Sequence, residues 1–143
     1  MTPVLTIDQV NDFLEREFPQ LTAGGKIFDV INVAPGTATL RFTPNDSHLR
    51  PGGTISGPSL FALADVAAYV AIIAHIGPSI GTVTANLSIS FLHRPEPVPV
   101  DGIVRILKIG RKLAFLEIAI ERCDNREMVA HATATYSIPS RKY

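Results

Sequence analysis

The stretch from Pro51 to Gly77, PGGTISGPSLFALADVAAYVAIIAHIG, decides the fold of this chain. It opens as a glycine-rich turn, and Pro58 then suits a first helical turn, where no N–H is needed. The closing Gly77-Pro78 is a helix stop. Between them Leu60, Phe61, Leu63, Val66, Val70, Ile72, Ile73 and Ile76 are interspersed mainly with alanine. A helix apolar on nearly every side is buried on nearly every side. Asp65 stands in the middle of it. A carboxylate there costs several kcal/mol unless it is paired, hydrogen-bonded or open to a cleft. Asp65 is therefore the strongest functional clue in the sequence, with a structural and a catalytic role both open.

The run from Pro58 to Ile76 is almost long enough to cross a bilayer. The central acid, the alanine content, the lack of a flanking basic cluster and the strand-like remainder argue instead for a core helix. At 143 residues the chain reads as one domain over 1–143. Lys plus Arg and Asp plus Glu are 13 each, so nothing marks it as a nucleic-acid or anionic-membrane binder, and little charge opposes self-association. A hydrophobic content of 46% excludes general disorder. Cys123 stands alone, which excludes an internal disulfide framework and a thiolate metal cluster. His75, His93 and His131 lack metal-ligand spacing, so no metal site is expected. The opening MTPVLTIDQV carries no basic segment or long apolar run, and a cytoplasmic location is expected.

Outward from the central stretch, Thr6 and Gln9 have capping-box spacing, and Ile7, Val10, Phe13 and Leu14 form one helical stripe ending near Phe18-Pro19. Lys26 to Ala34 and Thr37 to Phe42, split by Pro35-Gly36, read as a hairpin. Residues Thr43 to Gly57 form a long aperiodic loop, the kind that carries function. Gly81 to Leu92 alternates strictly. Val83, Ala85, Leu87, Ile89 and Phe91 are expected on one face, and Thr82, Thr84, Asn86, Ser88 and Ser90 on the other. Gly102 to Ile109, Leu113 to Arg122 and Glu127 to Ile138 follow as strands. In the last, Met128, Ala130, Ala132, Ala134 and Tyr136 share a face. Short links between consecutive strands favour antiparallel pairing. The expected class is α+β: a curved antiparallel sheet of about six strands wrapped around one long buried helix, with a short N-terminal helix. One helix covers one sheet face, and the other face points to an oligomer.

This order, with several local motifs, resembles the hot-dog fold and within it the PaaI-type acyl-coenzyme A thioesterases. The motifs are the loop asparagine, the glycine turn into an alanine-rich helix, and Leu63-Ala64-Asp65. To these are added TVTANLSISFLHRP, Gly110-Arg111 between strands and the closing AHATATYSI. The shared core spans about 26–138, and the first helix lies outside it. The resemblance implies hydrolysis of an acyl-coenzyme A or acyl-carrier thioester, with coenzyme A as part of the substrate and no separate cofactor. It also implies a homodimer, and the uncovered sheet face with the zero net charge leads to the expectation that two dimers pair again into a tetramer.

In that family the residues matching Gly57 and Asp65 act across the dimer. The Gly57 N–H would bind the thioester carbonyl, and Asp65 of the second subunit would be general base or nucleophile. About 12 Å along one helix separates them, so one chain cannot bring both to one carbonyl. The family's usual His-Gly-Gly turn aligns here with Ser56-Gly57-Pro58, replacing an imidazole by a hydroxyl. Gly52-Gly53 offers a second, less favoured frame. Asn45 matches the loop asparagine that helps place water, and Asn86 is a second polar candidate. Coenzyme A in related proteins runs near Gly110, Arg111 and Lys112, which could equally be a solvated turn. Arg50, Arg94 and His48 are further substrate-binding candidates. A non-catalytic acyl-thioester or apolar-ligand binder is the alternative, as is a hydratase or dehydratase of the same fold.

Overall fold

The computed structural model describes residues 1–21 and 25–140. Helix α1 spans Ile7–Glu17, and the strands are β1 (Phe28–Ala34), β2 (Thr37–Phe42), β3 (Val83–Phe91), β4 (Val100–Ile109), β5 (Leu113–Arg122) and β6 (Met128–Ser137). Helix α2, Gly57–Ile76, lies between β2 and β3 in the chain. The strands form one six-stranded sheet in the order β1-β2-β4-β5-β6-β3, antiparallel throughout. The expected architecture is the observed one.

Helix α2 is the centre of the core. From Ala67 to His75 every residue is buried, whichever way it points. Its fully buried Leu60, Leu63, Ile72 and Ile73 each contribute about 1.5–3 kcal/mol relative to exposure. Gly102 on β4 lets the helix approach: a Cβ there would stand 3.2 Å from the Ala67 methyl and 3.3 Å from Leu63. The buried His75 serves this packing. Its Nε2 accepts the Gly36 N–H (3.0 Å), which places the ring proton on Nδ1, against the Ala71 carbonyl at 2.7 Å. Helix α1 begins with the reciprocal Thr6–Gln9 capping box and buries Val10, Phe13 and Leu14.

The N-terminal half of α2 is different. Pro58, Phe61 and Ala62 are exposed and Asp65 and Val66 half-buried, leaving one uncovered strip that contains both Gly57 and Asp65. The helix starts one residue earlier than its proline suggests, with Ser56 as N-cap and Gly57 as first helical residue. Gly52 and Gly53, at φ 102° and 85°, form the left-handed turn before it and take no part in the helix start.

Strand β3 departs from strict alternation. Its register against β6 breaks between Thr84 and Asn86, so Ala85 is an extra residue. Beyond this bulge Leu87 and Ile89 pack on the core, as the alternation requires. Before it the parity reverses: Thr82 is buried, Val83 exposed, and Thr84 turns toward the helix. A bulge re-aims side chains in this way, and the reversal gives α2 a hydroxyl neighbour that period-two reading assigns to the other face.

Candidate active site

Two clefts open along the uncovered strip of α2. The first, about 590 Å³, lies at the helix N-terminus and is lined by Arg50, Gly52, Gly57, Leu60, Phe91 and Arg94 among others. Gly57 and Pro58 open the helix. Proline has no N–H, and the Gly57 N–H has no protein acceptor among the described residues. That leaves one oriented donor at the positive end of a 20-residue helix, aimed where negative charge would be stabilised. No intrachain steric demand requires glycine here. Its φ is ordinary, and a Cβ would meet only the Phe91 ring at 3.5 Å.

The second cleft, about 400 Å³, contains Asp65 with Thr82, Thr84 and Tyr136, and apolar walls from Phe18, Leu21, Val66, Tyr69, Ile80 and Val83. Thr84 Oγ1 donates to Asp65 Oδ1 at 2.6 Å. The Tyr136 hydroxyl lies 2.5 Å from the same oxygen and 2.7 Å from the Asp65 carbonyl. No Lys, Arg or His pairs with Asp65 among the described residues. Burial first, then the hydrogen bond to Asp65, pushes the Tyr136 hydroxyl far above the ordinary phenol range, so it stays a donor. The carboxylate is thus held by neutral donors in a cleft, the setting Asp65 needs in an apolar helix.

The other candidates fall into separate places. Ser56 is used as a helix cap: its Oγ accepts the Ser59 N–H at 3.3 Å and donates to Ser59 Oγ at 2.9 Å. Asn45 caps the short turn Asp46–His48, accepting from the Ser47 N–H (2.9 Å) and Ser47 hydroxyl (2.6 Å). His48 Nδ1 accepts the Asn45 N–H at 2.9 Å, and its ring packs edge-on against Phe42. Neither Asn45 nor His48 lines the Gly57 or the Asp65 cleft. Asn86 is paired with Thr135, beyond the bulge and on the sheet face away from Asp65. Arg50 and Arg94 share the Gly57 cleft. The turn Gly110-Arg111-Lys112 joins β4 to β5 at the opposite end of the sheet, beside Leu113, Ser137 and Val83. Among the described residues no group of His, Cys, Asp and Glu stands close enough to hold a metal.

Thr84 and Tyr136 were not among the sequence candidates. Thr84 is concealed by the bulge. Tyr136 lies on the expected inward face of β6, and a buried tyrosine hydroxyl among alanines needs a polar partner. Asp65 is one partner able to meet that requirement, but a backbone carbonyl meets it equally well, as the Ser79 carbonyl does for Tyr69.

Comparison with known proteins gives the family to which this fold belongs. The model of the family described as "Thioesterase superfamily" matches residues 52–129, more than half of the chain, taking in the Gly57 turn, α2 and the β3 bulge. The chain belongs to the thioesterase superfamily. Its hot-dog architecture is shared with a crystal structure of a proposed thioesterase from Silicibacter sp. The two are 41% identical, covering 97% of this chain and 95% of that one, with a TM-score of 0.88. A variant of the phenylacetic acid degradation protein PaaI from Thermus thermophilus is 25% identical over 84% of this chain and 98% of that one, at a TM-score of 0.72. A proposed esterase from Saccharolobus solfataricus is 27% identical over 141 residues, covering 95% of this chain and 87% of that protein. The superfamily match ends at residue 129, so Tyr136 lies outside it.

Proposed function

We propose that this protein hydrolyses acyl-coenzyme A or acyl-carrier thioesters at a site shared between two copies of the chain. The observation that carries the reading is the division of labour on α2: a free backbone donor at Gly57 and a carboxylate at Asp65, two turns apart and in different clefts. Strand β3 supplies the means of joining them. It is one of the two sheet edges, and its sequence VTANLSISF has neither charge nor proline to discourage pairing. Pairing β3 antiparallel with a second β3 about a two-fold axis near Leu87 sets the Thr84 end of one chain against the Phe91 end of the other. Asp65 bonds to Thr84 and Gly57 lies under Phe91, so each Asp65 then approaches the partner's helix start.

In this site the thioester carbonyl accepts the Gly57 N–H, which stabilises the oxyanion as it forms. Asp65 takes a proton from water, the water oxygen bonds to the carbonyl carbon, and the carbon–sulfur bond breaks. The proton passes from Asp65 to the departing thiolate, giving free acid and thiol. Attack by the carboxylate itself is the other route open to Asp65. Arg50 and Arg94 suit the phosphates of coenzyme A, since guanidinium groups bind them in a bidentate manner. The same two-fold pairing brings the partner's turn after β4 toward that end, which adds Arg111 and Lys112 to the anion-binding set. The apolar cleft beside Asp65 would take the acyl group.

The test is release of free thiol from a panel of acyl-coenzyme A thioesters, followed by complementation. Asp65→Asn, which removes the base, and Gly57→Val, which keeps the N–H but fills the cleft in front of it with a branched side chain, are each expected to be strongly impaired as homodimers. Mixed dimers contain one intact site, Gly57 from one chain and Asp65 from the other, so co-refolding should restore activity. No recovery in verified mixed dimers would overturn the shared site. Tight thioester binding with no thiol release by the parent would place the chain with non-catalytic binders.

A further inference from the structure

We infer that Tyr136 is a positioning residue for the Asp65 carboxylate, anchoring Oδ1 so that Oδ2 is the oxygen presented to the reacting group. The inference rests on the reading of Asp65 as the reactive acid. Both side-chain donors converge on one oxygen, Tyr136 Oη at 2.5 Å and Thr84 Oγ1 at 2.6 Å. Oδ2 has no protein donor among the described residues. An aspartate side chain has two torsions, the terminal one broad and roughly two-fold, and two equivalent oxygens, so an unanchored carboxylate would divide its time between orientations. Two donors on Oδ1 remove that freedom and leave the lone pairs of Oδ2 unshared.

Tyr136 is built for the task. Its side chain is 2% exposed, and β6 is bonded on both sides, to β5 and to β3. The ring lies 6.5 Å from that of Tyr69, which in turn meets Phe18 edge-on at 5.6 Å. Tyr69 is itself tied down, its hydroxyl donating to the Ser79 carbonyl at 2.6 Å. The Tyr136 hydroxyl also reaches the Asp65 backbone carbonyl at 2.7 Å, so it registers the side chain against its own helix turn. Thr84, by contrast, is exposed and sits on the sheet edge. The buried tyrosine is the rigid half of the clamp.

The experiment compares Tyr136→Phe with the parent on the best thioester, in the parental and the Asp65→Asn backgrounds. Phenylalanine keeps the ring and removes only the donor. Expected is a roughly tenfold fall in kcat, the scale of one hydrogen bond to a charged group, with KM and the circular dichroism spectrum unchanged. In the Asp65→Asn background the same change should have no further effect, because Tyr136 acts through the carboxylate. Parental kcat in folded Tyr136→Phe would overturn the inference, as would an equal fall in both backgrounds. Should Tyr136→Phe fail to fold, replacing Tyr136 by a fluorotyrosine keeps the ring and alters the donor strength of the same hydroxyl: a change in kcat in the parental but not the Asp65→Asn background supports the inference, and unchanged kcat in both overturns it. Failure of the underlying reading is distinct, since Asp65→Asn would then itself retain parental turnover.

Discussion

Asp65 and Asp101 are both drawn in from bulk water, and they are held in opposite ways. Asp101, on β4, is 1% exposed and fully paired. Arg41 on β2 forks onto it with bonds of 2.9 and 3.1 Å, Arg126 donates at 2.9 Å, and the Cys123 thiol at 3.3 Å. Asp65 is half-buried, has no cationic partner, and accepts only from two neutral hydroxyls in a cleft. Two guanidinium groups compensate a buried charge and leave it nothing further to do. Neutral donors on one oxygen orient a charge while leaving it chemically available. On the proposed reading, the partners of an enclosed acid separate a structural charge from a reactive one better than its burial does.

Neutralising each carboxylate in turn should separate the two roles. Asp65→Asn should lower kcat by roughly 10²–10⁴-fold, the range for loss of a general base, with the melting temperature close to the parent's. Steady-state kinetics beside thermal melts decide it, and a large loss of stability with proportionate activity would make Asp65 structural. Asp101→Asn should do the reverse. It leaves Arg41 and Arg126 without their counter-charge, which costs about 3–5 kcal/mol for a fully enclosed pair. Both arginines reach solvent, so about 3 kcal/mol is expected by urea unfolding, with kcat per folded molecule within about twofold of the parent.

Acid sharpens the contrast further. Burial raises the Asp101 pKa, but the hydrogen bonds from Arg41, Arg126 and Cys123 outweigh it and hold the group below the ordinary carboxylate range. Its stabilisation is therefore complete above the unfolded-state pKa, about 3.9, and is lost as pH falls through the lower folded value. Unfolding free energy of the parent should fall over that acid window, and Asp101→Asn should flatten the fall. A variant with the parental acid slope would remove Asp101 as its source. The smallest effect is expected at the exposed pair Arg122–Asp124, joined at 2.7 and 2.9 Å. Asp124→Asn should leave both melting temperature and turnover within error, because solvent screens the pair.

Legibility from sequence followed the strength of local constraint. The α1 capping box, the hairpin at Pro35-Gly36 and the inward faces of β5 and β6 were all readable, since each needs only a few adjacent residues. The Asp65 and Gly57 candidates were readable because an acid in an apolar helix and a glycine at a helix start are anomalies in their own segments. Asn45 and His48 looked equally functional as loop residues, yet their side chains are engaged in capping and packing that loop. The Asp101 cluster was invisible, because Arg41 and Arg126 come to it from 60 and 25 residues away.

Helix α2 and the sheet around it follow from local sequence. A helix apolar on nearly every side must be enclosed, and alternating strands with short links have few ways to enclose it. Only the tertiary structure decided which oxygen of Asp65 is held and by what. The bulge at Ala85 has no local signature, yet it reverses the parity of β3 and turns Thr84 inward. Tyr136 meets Asp65 from 71 residues away. Periodicity is a property of one segment, whereas a hydrogen bond between segments depends on register, which is settled only when the whole sheet closes on the helix.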